Sequence, residues 1–584
     1  MVTRVAVVDR DICIERRCGY VCIKVCPPNR MGEECIVVEK DGIYPVISEP
    51  LCIGCGLCVK KCPVSCISII NIAQELDNPV YQYGINAFRI YGLPLPVEGA
   101  VSLIGKNGIG KTSTIKLLTR QIRPNFATFE RELPEEQIML RLGLEQRRYF
   151  AKAKEGMKVS VKPQQIDKVR DAFKGTVAEL LSGVVGTAEK TAETARRYRI
   201  EEIMGRRIEQ LSGGELQKVS IAAAAMKEAD IYYFDEVTNY LDIEERLRMA
   251  VLIKELSESR SVMMAEHDLT FLDYVSNYVY VLYGDENVYG VVSGVKNVRV
   301  GINEYISGYL KDENVRFREY EIEFSRHSEG EIKAPAKVRY APLRRRYPGF
   351  SFTSEGGEIK KGEILGLVGK NALGKSTFVK LLAGVEQSDE GEQIGLKISY
   401  KPQYISAEEV LVSDLFAQRK VGGAVFEDCK RRLGVGKFMD KMLTELSGGE
   451  LQRVALTLAL GQDADIYLLD EPSAFLDIEQ RFEFAGLLRK VISESDRSAF
   501  VVDHDIVFID AIANRLIVFD GKSSVEGHAS APLNKKDGMN GFLKVAGITM
   551  RRDKDSGRPR INKPGSQLDT EQRAAGEYFY YESK

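Results

Sequence analysis

No apolar run in this chain approaches the ~18 consecutive residues that cross a bilayer, which excludes a transporter built in a single chain. The start, MVTRVAVVDRDICIERRC, alternates like a strand and carries charges throughout. It lacks the apolar core of a secretory leader, so a soluble cytoplasmic protein is expected. Charge of one sign is also missing. The net charge is −2, so any nucleic-acid contact must come from local patches. Histidine is scarce, with four in 584 residues. Cysteine is nearly absent beyond the start: ten of eleven lie between Cys13 and Cys66, and the other is Cys429. Outside two phosphate-type loops there is no GxGxxG dinucleotide fingerprint, and so no second redox site to serve an electron carrier.

Length allows about three to four domains of roughly 100–200 residues. Most of the chain is an ordered internal repeat. LIGKNGIGKTSTIKLL recurs as LVGKNALGKSTFVKLL, VKPQ as YKPQ and LSGGELQ as itself. DIYYFDE recurs as DIYLLDE, YLDIEERL as FLDIEQRF and AEHD as VDHD. In both copies the serine of LSGG stands 24 residues before the second acid of the DE pair. Apolar β-branched runs alternate with helix-like runs, which predicts an α/β fold with mostly parallel sheets and crossover helices.

GKNGIGKT and GKNALGKS are phosphate loops, each between an apolar strand and a helix. Gly105, Asn107, Gly108, Gly110, Lys111, Thr112 and Ser113 belong to the first. Gly369, Asn371, Gly374, Lys375, Ser376 and Thr377 belong to the second. Lys111 and Lys375 reach the β- and γ-phosphates, while Thr112 and Ser376 hold Mg²⁺. Ala372 replaces Gly108, and it carries strain if that position needs a positive φ. Asp235 and Asp470 position Mg²⁺, and Glu236 and Glu471 orient or deprotonate the attacking water. Gln164 and Gln403 sense both the metal and the γ-phosphate. His267 and His504, at matching repeat positions, contact the γ-phosphate. Tyr83, Phe88 and Tyr347 lie upstream of the loops, where adenine would stack.

Ser212, Gly213 and Gly214, with Ser447, Gly448 and Gly449, precede helix-like runs and present a second anion site. Each module already has a phosphate loop, so this second site serves the nucleotide of the other module. The combination resembles ATP-binding-cassette ATPases, whose modules sandwich two ATPs head to tail. That resemblance implies that Lys111, Gln164, Asp235, Glu236 and His267 share a site with Ser447–Gly449. Lys375, Gln403, Asp470, Glu471 and His504 would share the other with Ser212–Gly214, and Asp242 and Asp477 would link the two. Val237 departs from the proline usual after the DE pair, which Pro472 keeps.

A disulfide framework is the bland reading of clustered cysteines, but it suits small secreted domains. Cys52, Cys55, Cys58 and Cys62-Pro63 have the bacterial ferredoxin spacing for [4Fe–4S] clusters. Cys13, Cys18, Cys22 and Cys26-Pro27 form a wider run. Because the fourth cysteine of each ferredoxin run ligates the other cluster, Cys13, Cys18, Cys22 and Cys62 form one set and Cys52, Cys55, Cys58 and Cys26 the other. Zinc is the rival metal. Cys35 and Cys66 fall outside the pattern and read as small buried apolar residues.

With CIGCGLCVKKCP, YGINAFRI, the paired LSGGELQ, ENVRFRE and RPRINKPGS, the whole chain resembles subfamily E of the cassette ATPases, the RNase L inhibitor family of ribosome-recycling factors. The resemblance implies a ferredoxin-like domain (1–75) with two [4Fe–4S] clusters. It also implies a first nucleotide-binding domain (76–300) with a helix-loop-helix insertion near 134–153, a hinge (301–340), a second nucleotide-binding domain (341–525) and a second hinge (526–584). The gap of 53 residues from Lys111 to Gln164, against 28 from Lys375 to Gln403, places the insertion in the first module. Implied partners are the ribosomal small subunit with its RNA and proteins, a release factor or its stalled-ribosome relative, and initiation factors. The chain would act as a monomer with an intramolecular pair of ATPases that splits ribosomes. The basic segments near Arg316–Arg318 and Arg558–Arg560 would be hinges that also touch ribosomal RNA. An ATP-coupled electron-transfer protein is the alternative reading, and a module that only sequesters a nuclease or initiation factor is a third.

Overall fold

The computed structural model describes residues 3–10, 12–38, 42–72, 78–129, 131–324, 334–389, 396–403 and 408–579. Residues 325–333 of the expected first hinge and the last five residues of the tail lie outside them. The chain divides into two compact units. One comprises Met1–Glu236, Ile253–His267 and Ser276–Glu319; the other comprises Val237–Leu252, Asp268–Val275 and Tyr320–Lys584.

In the first unit, strand Thr3–Val8 pairs antiparallel with Ile67–Ile72, closing a small domain over three short helices and the ribbon Ile36–Val38/Pro45–Ile47. Its core is thin: Ala6, Val8, Ile36, Ile47, Val64 and Ile67 are joined by Cys22, Cys26, Cys35, Cys58 and Cys66. So few apolar side chains cannot offset the conformational entropy of such a domain, and metal or disulfide staples are the usual remedy. The YGINAFRI stretch is its seat. Asn86, in the left-handed region at φ 53°, accepts from Ile47 N (2.7 Å) and donates to Ala6 O (2.9 Å) through its side chain. Its own carbonyl accepts from Val8 N (2.9 Å), and nearby Arg89 pairs with Glu49 (2.8 Å).

The internal repeat becomes two nine-stranded sheets of matching order. In the first, the strands Val159–Lys162, Ile231–Asp235, Ser261–Ala265, Ala100–Ile104 and Tyr278–Asp285 run parallel to their neighbours. Their counterparts in the second are Ile398–Lys401, Ile466–Asp470, Ser498–Val502, Ile364–Val368 and Arg515–Lys522. The buried runs AVSLI, IYYFD, ILGLV and IYLLD fill these central strands, as a sheet covered on both faces requires. Antiparallel pairs at one edge, such as Arg344–Tyr347 with Phe350–Ser354, add to the expected parallel architecture.

The segment expected to carry an insertion folds as helices Glu135–Arg141 and Leu144–Lys154. Ile138, Leu142, Tyr149 and Phe150 anchor it in the core, and Tyr149 Oη lies 2.6 Å from Tyr233 Oη. Leu140 and Leu144 stay exposed at its tip.

Two basic segments expected to face ribosomal RNA are partly turned inward. Arg318 is buried and donates to the carbonyls of Tyr305 and Ile306. Arg558 is fully buried in the second unit, where it donates to Asp273 Oδ1 (3.1 Å). Arg560 bridges Asp273 and Asp553 in the same cluster. Arg558 and Arg560 thus neutralise buried carboxylates and Arg318 is taken up by main-chain carbonyls, so these three are turned away from a polyanion; Arg316 remains exposed.

Asp273→Asn should therefore leave Arg558 buried without its counter-charge and cost about 3–5 kcal/mol. Urea unfolding of the second unit checks this, and a loss below about 1 kcal/mol would show that the cluster does not anchor the tail.

Candidate functional site

Each phosphate loop runs from a central strand into a helix, Lys111–Leu118 or Lys375–Leu382. Gly110 and Gly374 open these helices with φ near 99° and 88°. Side chains are unwelcome there, since a β-carbon on Gly110 would stand 3.0 Å from the Phe88 ring. Phe350 takes the same place beside Gly374, at 3.3 Å. Phe350 is thus the counterpart of Phe88. Tyr347, singled out from the sequence, instead stacks on Phe350 and donates to Glu386. Tyr83 Oη lies 2.8 Å from Ser113 Oγ on the loop helix.

Lys111 Nζ is buried and donates to Gly105 O (2.9 Å) and Lys106 O (2.6 Å). Lys375 does the same with Gly369 O (2.8 Å) and Lys370 O (2.5 Å). Thr112 Oγ1 donates to Asp235 Oδ2 (2.8 Å). Oδ1 of Asp235 and both carboxylate oxygens of Asp470 are buried with no hydrogen-bond partner among the described residues. A carboxylate oxygen left in that state beside a hydroxyl fits a hydrated Mg²⁺. Burial pushes both aspartates above the ordinary carboxylate range, another sign of a site that awaits positive charge.

Gln164 Nε2 donates to Glu236 Oε1 (2.5 Å), and Gln403 Nε2 donates to Glu471 Oε1 (2.7 Å). The structure thus brings together, in each cassette, the lysine, hydroxyl, aspartate, glutamate and glutamine singled out from sequence. The two glutamates differ in charge environment. Burial, then Asp235 and Glu266, push Glu236 up to about 7. Burial raises Glu471 too, but His504, 3.2 Å away, together with Gln403 and Lys375 holds the acid at about 2. His267 is buried at the corresponding position. Both glutamates have positive φ, 51° and 49°, where a side chain costs roughly 1–2 kcal/mol.

Ser212 and Ser447 cap fourteen-residue helices, Gly213–Met226 and Gly448–Gly461. Glu215 and Glu450 complete capping boxes by accepting the serine N–H at 2.8 Å. Asp242 accepts from Asn371 N (2.8 Å) of the second phosphate loop and from Glu245 N (3.0 Å), all within the second unit. Asp477 caps its own helix through Gln480 N (2.8 Å). The serines, aspartates and glycines named from sequence thus stand at helix starts and loops.

The eight paired cysteines gather as two groups. Cys22 interacts with Cys18, Cys13 and Cys62, and Cys58 with Cys52, Cys55 and Cys26. Among the described residues no three potential ligands converge as one ion would require. An all-thiolate donor set of four in each group is the kind that holds a [4Fe–4S] cluster. Cys35 and Cys66 are buried, as expected, yet each also touches a member of a group. Cys66 Sγ is 3.4 Å from Cys62 Sγ, and Cys35 lies beside Cys26. Spacing alone gave no signal for those contacts.

The family model for ABC transporter ATPases matches residues 92–239 and 355–474. The 4Fe-4S binding domain matches 45–68, and the possible Fer4-like domain in RNase L inhibitor matches 3–34. The chain is 45% identical over 588 residues to the uncharacterized ABC transporter ATP-binding protein of Methanocaldococcus jannaschii, covering 99% of this chain and 97% of that one. The chain belongs to the E family of ABC ATPases, the RNase L inhibitor family. Translation initiation factor RLI1 of Saccharomyces cerevisiae is 40% identical, with 100% of this chain and 99% of that one covered. Among solved structures, a model of ribosome-bound archaeal Pelota and ABCE1 superposes with TM-score 0.93 at 45% identity, covering 99% of this chain and 100% of that one. Archaeal recycling factor aABCE1, in complex with ribosomal stalk protein aP1, gives 0.81 at 44% identity, over 87% of this chain and 100% of that one. The E-family chain is an ATPase that takes ATP with Mg²⁺ and carries [4Fe–4S] chemistry. None of its described helices is long and apolar enough to cross a membrane.

The two phosphate loops differ in how they tolerate a β-carbon. Gly108 and Ala372 share a left-handed φ, 67° and 59°, but a β-carbon on Gly108 would collide with Asn287 Oδ1. Gly108→Ala should weaken ATP binding at the first loop about tenfold, roughly 1.4 kcal/mol, when Lys375→Ala silences the second. Ala372→Gly, read with Lys111→Ala silencing the first loop, should leave affinity within about twofold, because the left-handed turn is already formed with Ala372 in place. Titration with fluorescent ATP reads both.

Proposed function

We propose that this ATPase splits ribosomes into subunits together with a release factor or its stalled-ribosome relative, in the cytoplasm and as a monomer. The likeness to the ribosome-bound Pelota–ABCE1 arrangement over 99% of the chain carries this reading. The recycling-factor name of another similar structure and the translation-factor name of the yeast relative support it. In this reading residues 1–75 form the iron–sulfur domain, 76–300 and 341–525 the cassettes, and 301–340 and 526–584 the hinges. The helical insertion at 134–153, with its exposed leucines, faces the small subunit.

Two ATPs bind head to tail. Lys111 and Lys375 leave the loop carbonyls for phosphate oxygens, while Ser447–Gly449 and Ser212–Gly214 close each site from the other cassette. Mg²⁺, when bound near Thr112, Gln164 and Asp235 or near Ser376, Gln403 and Asp470, neutralises phosphate charge. Glu236 and Glu471 take the proton of the attacking water, and Gln164 and Gln403 hold those carboxylates in place. His267 and His504 contact the γ-phosphate. ATP can shift the cassettes only by its greater affinity for the closed form, so binding drives closure and hydrolysis resets it. Closure swings the iron–sulfur domain and parts the subunits, and the factor stays on the small subunit until hydrolysis.

Two clusters are proposed, held by Cys13, Cys18, Cys22 and Cys62 and by Cys52, Cys55, Cys58 and Cys26. They stiffen the thin domain so that it moves as one body. Electron transfer is the alternative reading, and splitting without redox cycling separates the two.

Sedimentation of ribosomes incubated with the protein, ATP and release factor tests the whole. Free subunits are expected, without any redox cycling; intact ribosomes would sink the proposal. Glu236→Gln with Glu471→Gln should cut hydrolysis by about 10²–10⁴-fold and accumulate the small-subunit complex. Replacing Cys52, Cys55 or Cys58 should abolish splitting.

A further inference from the structure

Two buried side chains in each cassette have no part in the chemistry so far, yet both point at the hydrolytic glutamate. Lys162 ends the strand Val159–Lys162, two residues before Gln164, and is 1% exposed. Its Nζ donates to the main-chain carbonyls of Asp235 (2.8 Å) and Glu236 (2.7 Å). Gln217, fully buried on the helix that Ser212 caps, donates through Nε2 to the same Glu236 carbonyl at 2.8 Å.

The second cassette repeats the arrangement independently. Lys401 Nζ donates to Asp470 O (2.8 Å) and Glu471 O (3.2 Å). Gln452 Nε2 donates to Glu471 O (2.9 Å) and Pro472 O (2.8 Å). Burial lowers each lysine to about 8, against the pull of the Asp and Glu carboxylates around it.

These contacts meet a need. The glutamate leaves a straight buried strand by turning into the left-handed region, so consecutive carbonyls point the same way and crowd their negative ends together. A cation with several donors, plus one amide, satisfies both and holds the turn. We propose that Lys162 with Gln217, and Lys401 with Gln452, are positioning residues that lock the main chain at Glu236 and Glu471 and so aim the carboxylates for hydrolysis. The segment 162–164 then grips Glu236 at both ends, main chain by Lys162 and carboxylate by Gln164. Gln217 ties the same residue to the helix that begins at the LSGG serine. A shift of that helix is thereby felt at the glutamate of its own cassette.

The inference rests on Glu236 and Glu471 being the hydrolytic bases. The test uses the full-length, cluster-loaded protein with Glu471→Gln, so that turnover reports the first cassette. Lys162→Met and Gln217→Met should each lower kcat about tenfold or more, while KM for ATP and the thermal midpoint hold. The methionines keep volume without donating, so a merely structural role would instead lower the midpoint and move KM with kcat. Unchanged kcat, or a fall in kcat matched by those structural losses, overturns the proposal. If Glu236→Gln in this background turns over normally, the base assignment fails and takes this proposal with it. A dead Glu236→Gln beside a normal Lys162→Met overturns this proposal alone. Lys401→Met and Gln452→Met in a Glu236→Gln background repeat the measurement should the first pair fail to fold.

Discussion

Asp235 and Glu236 end a strand whose residues Ile231–Asp235 are all buried, and Asp470 and Glu471 do the same in the second cassette. Two adjacent acids stripped of water repel each other and lose hydration, a penalty that only donors and cations can offset. Much of each cassette answers that constraint. Thr112, Gln217 and the segment carrying Lys162 and Gln164 arrive from three separate parts of the fold, and all four side chains donate to this pair or to its main chain. The parallel order of the central strands is what lets elements far apart in sequence deliver those groups to one strand end. In the second cassette His504, 3.2 Å from Glu471, adds a further partner to the pair.

Where chemistry fixes spacing, the sequence was readable. The phosphate loops, the DE pairs, the glutamines and the cysteine runs are short motifs whose groups must sit within a few residues of one another, and the structure gathers them. The left-handed φ suspected at Ala372 is present, because a glycine in one copy exposed the demand on the other. Contacts made by folding were not readable. Lys162 looks like a surface cation until its strand is seen buried. Phe350 looks no better a ring than Tyr347 until the Arg344–Tyr347 strand folds back on Phe350–Ser354. Arg558 reads as part of a basic tail because its partner, Asp273, lies 285 residues away. Charge in a sequence window says nothing about counter-charges that tertiary structure brings in.

The iron–sulfur domain shows the same division. Its ligands announce themselves, while nothing in the YGINAFRI stretch marks Asn86 as the residue that seats it. That seat is directional: one amide both gives and takes a hydrogen bond, and the adjoining carbonyl takes a third. Hydrogen bonds of this kind weaken steeply once misaligned, and a buried amide left half-satisfied is worse placed than one returned wholly to water. A small tilt of the domain would spoil all three together. The attachment therefore behaves less like a flexible tether than like a detent: the head is either clicked home or let go, and gradual leaning is the least stable of its postures.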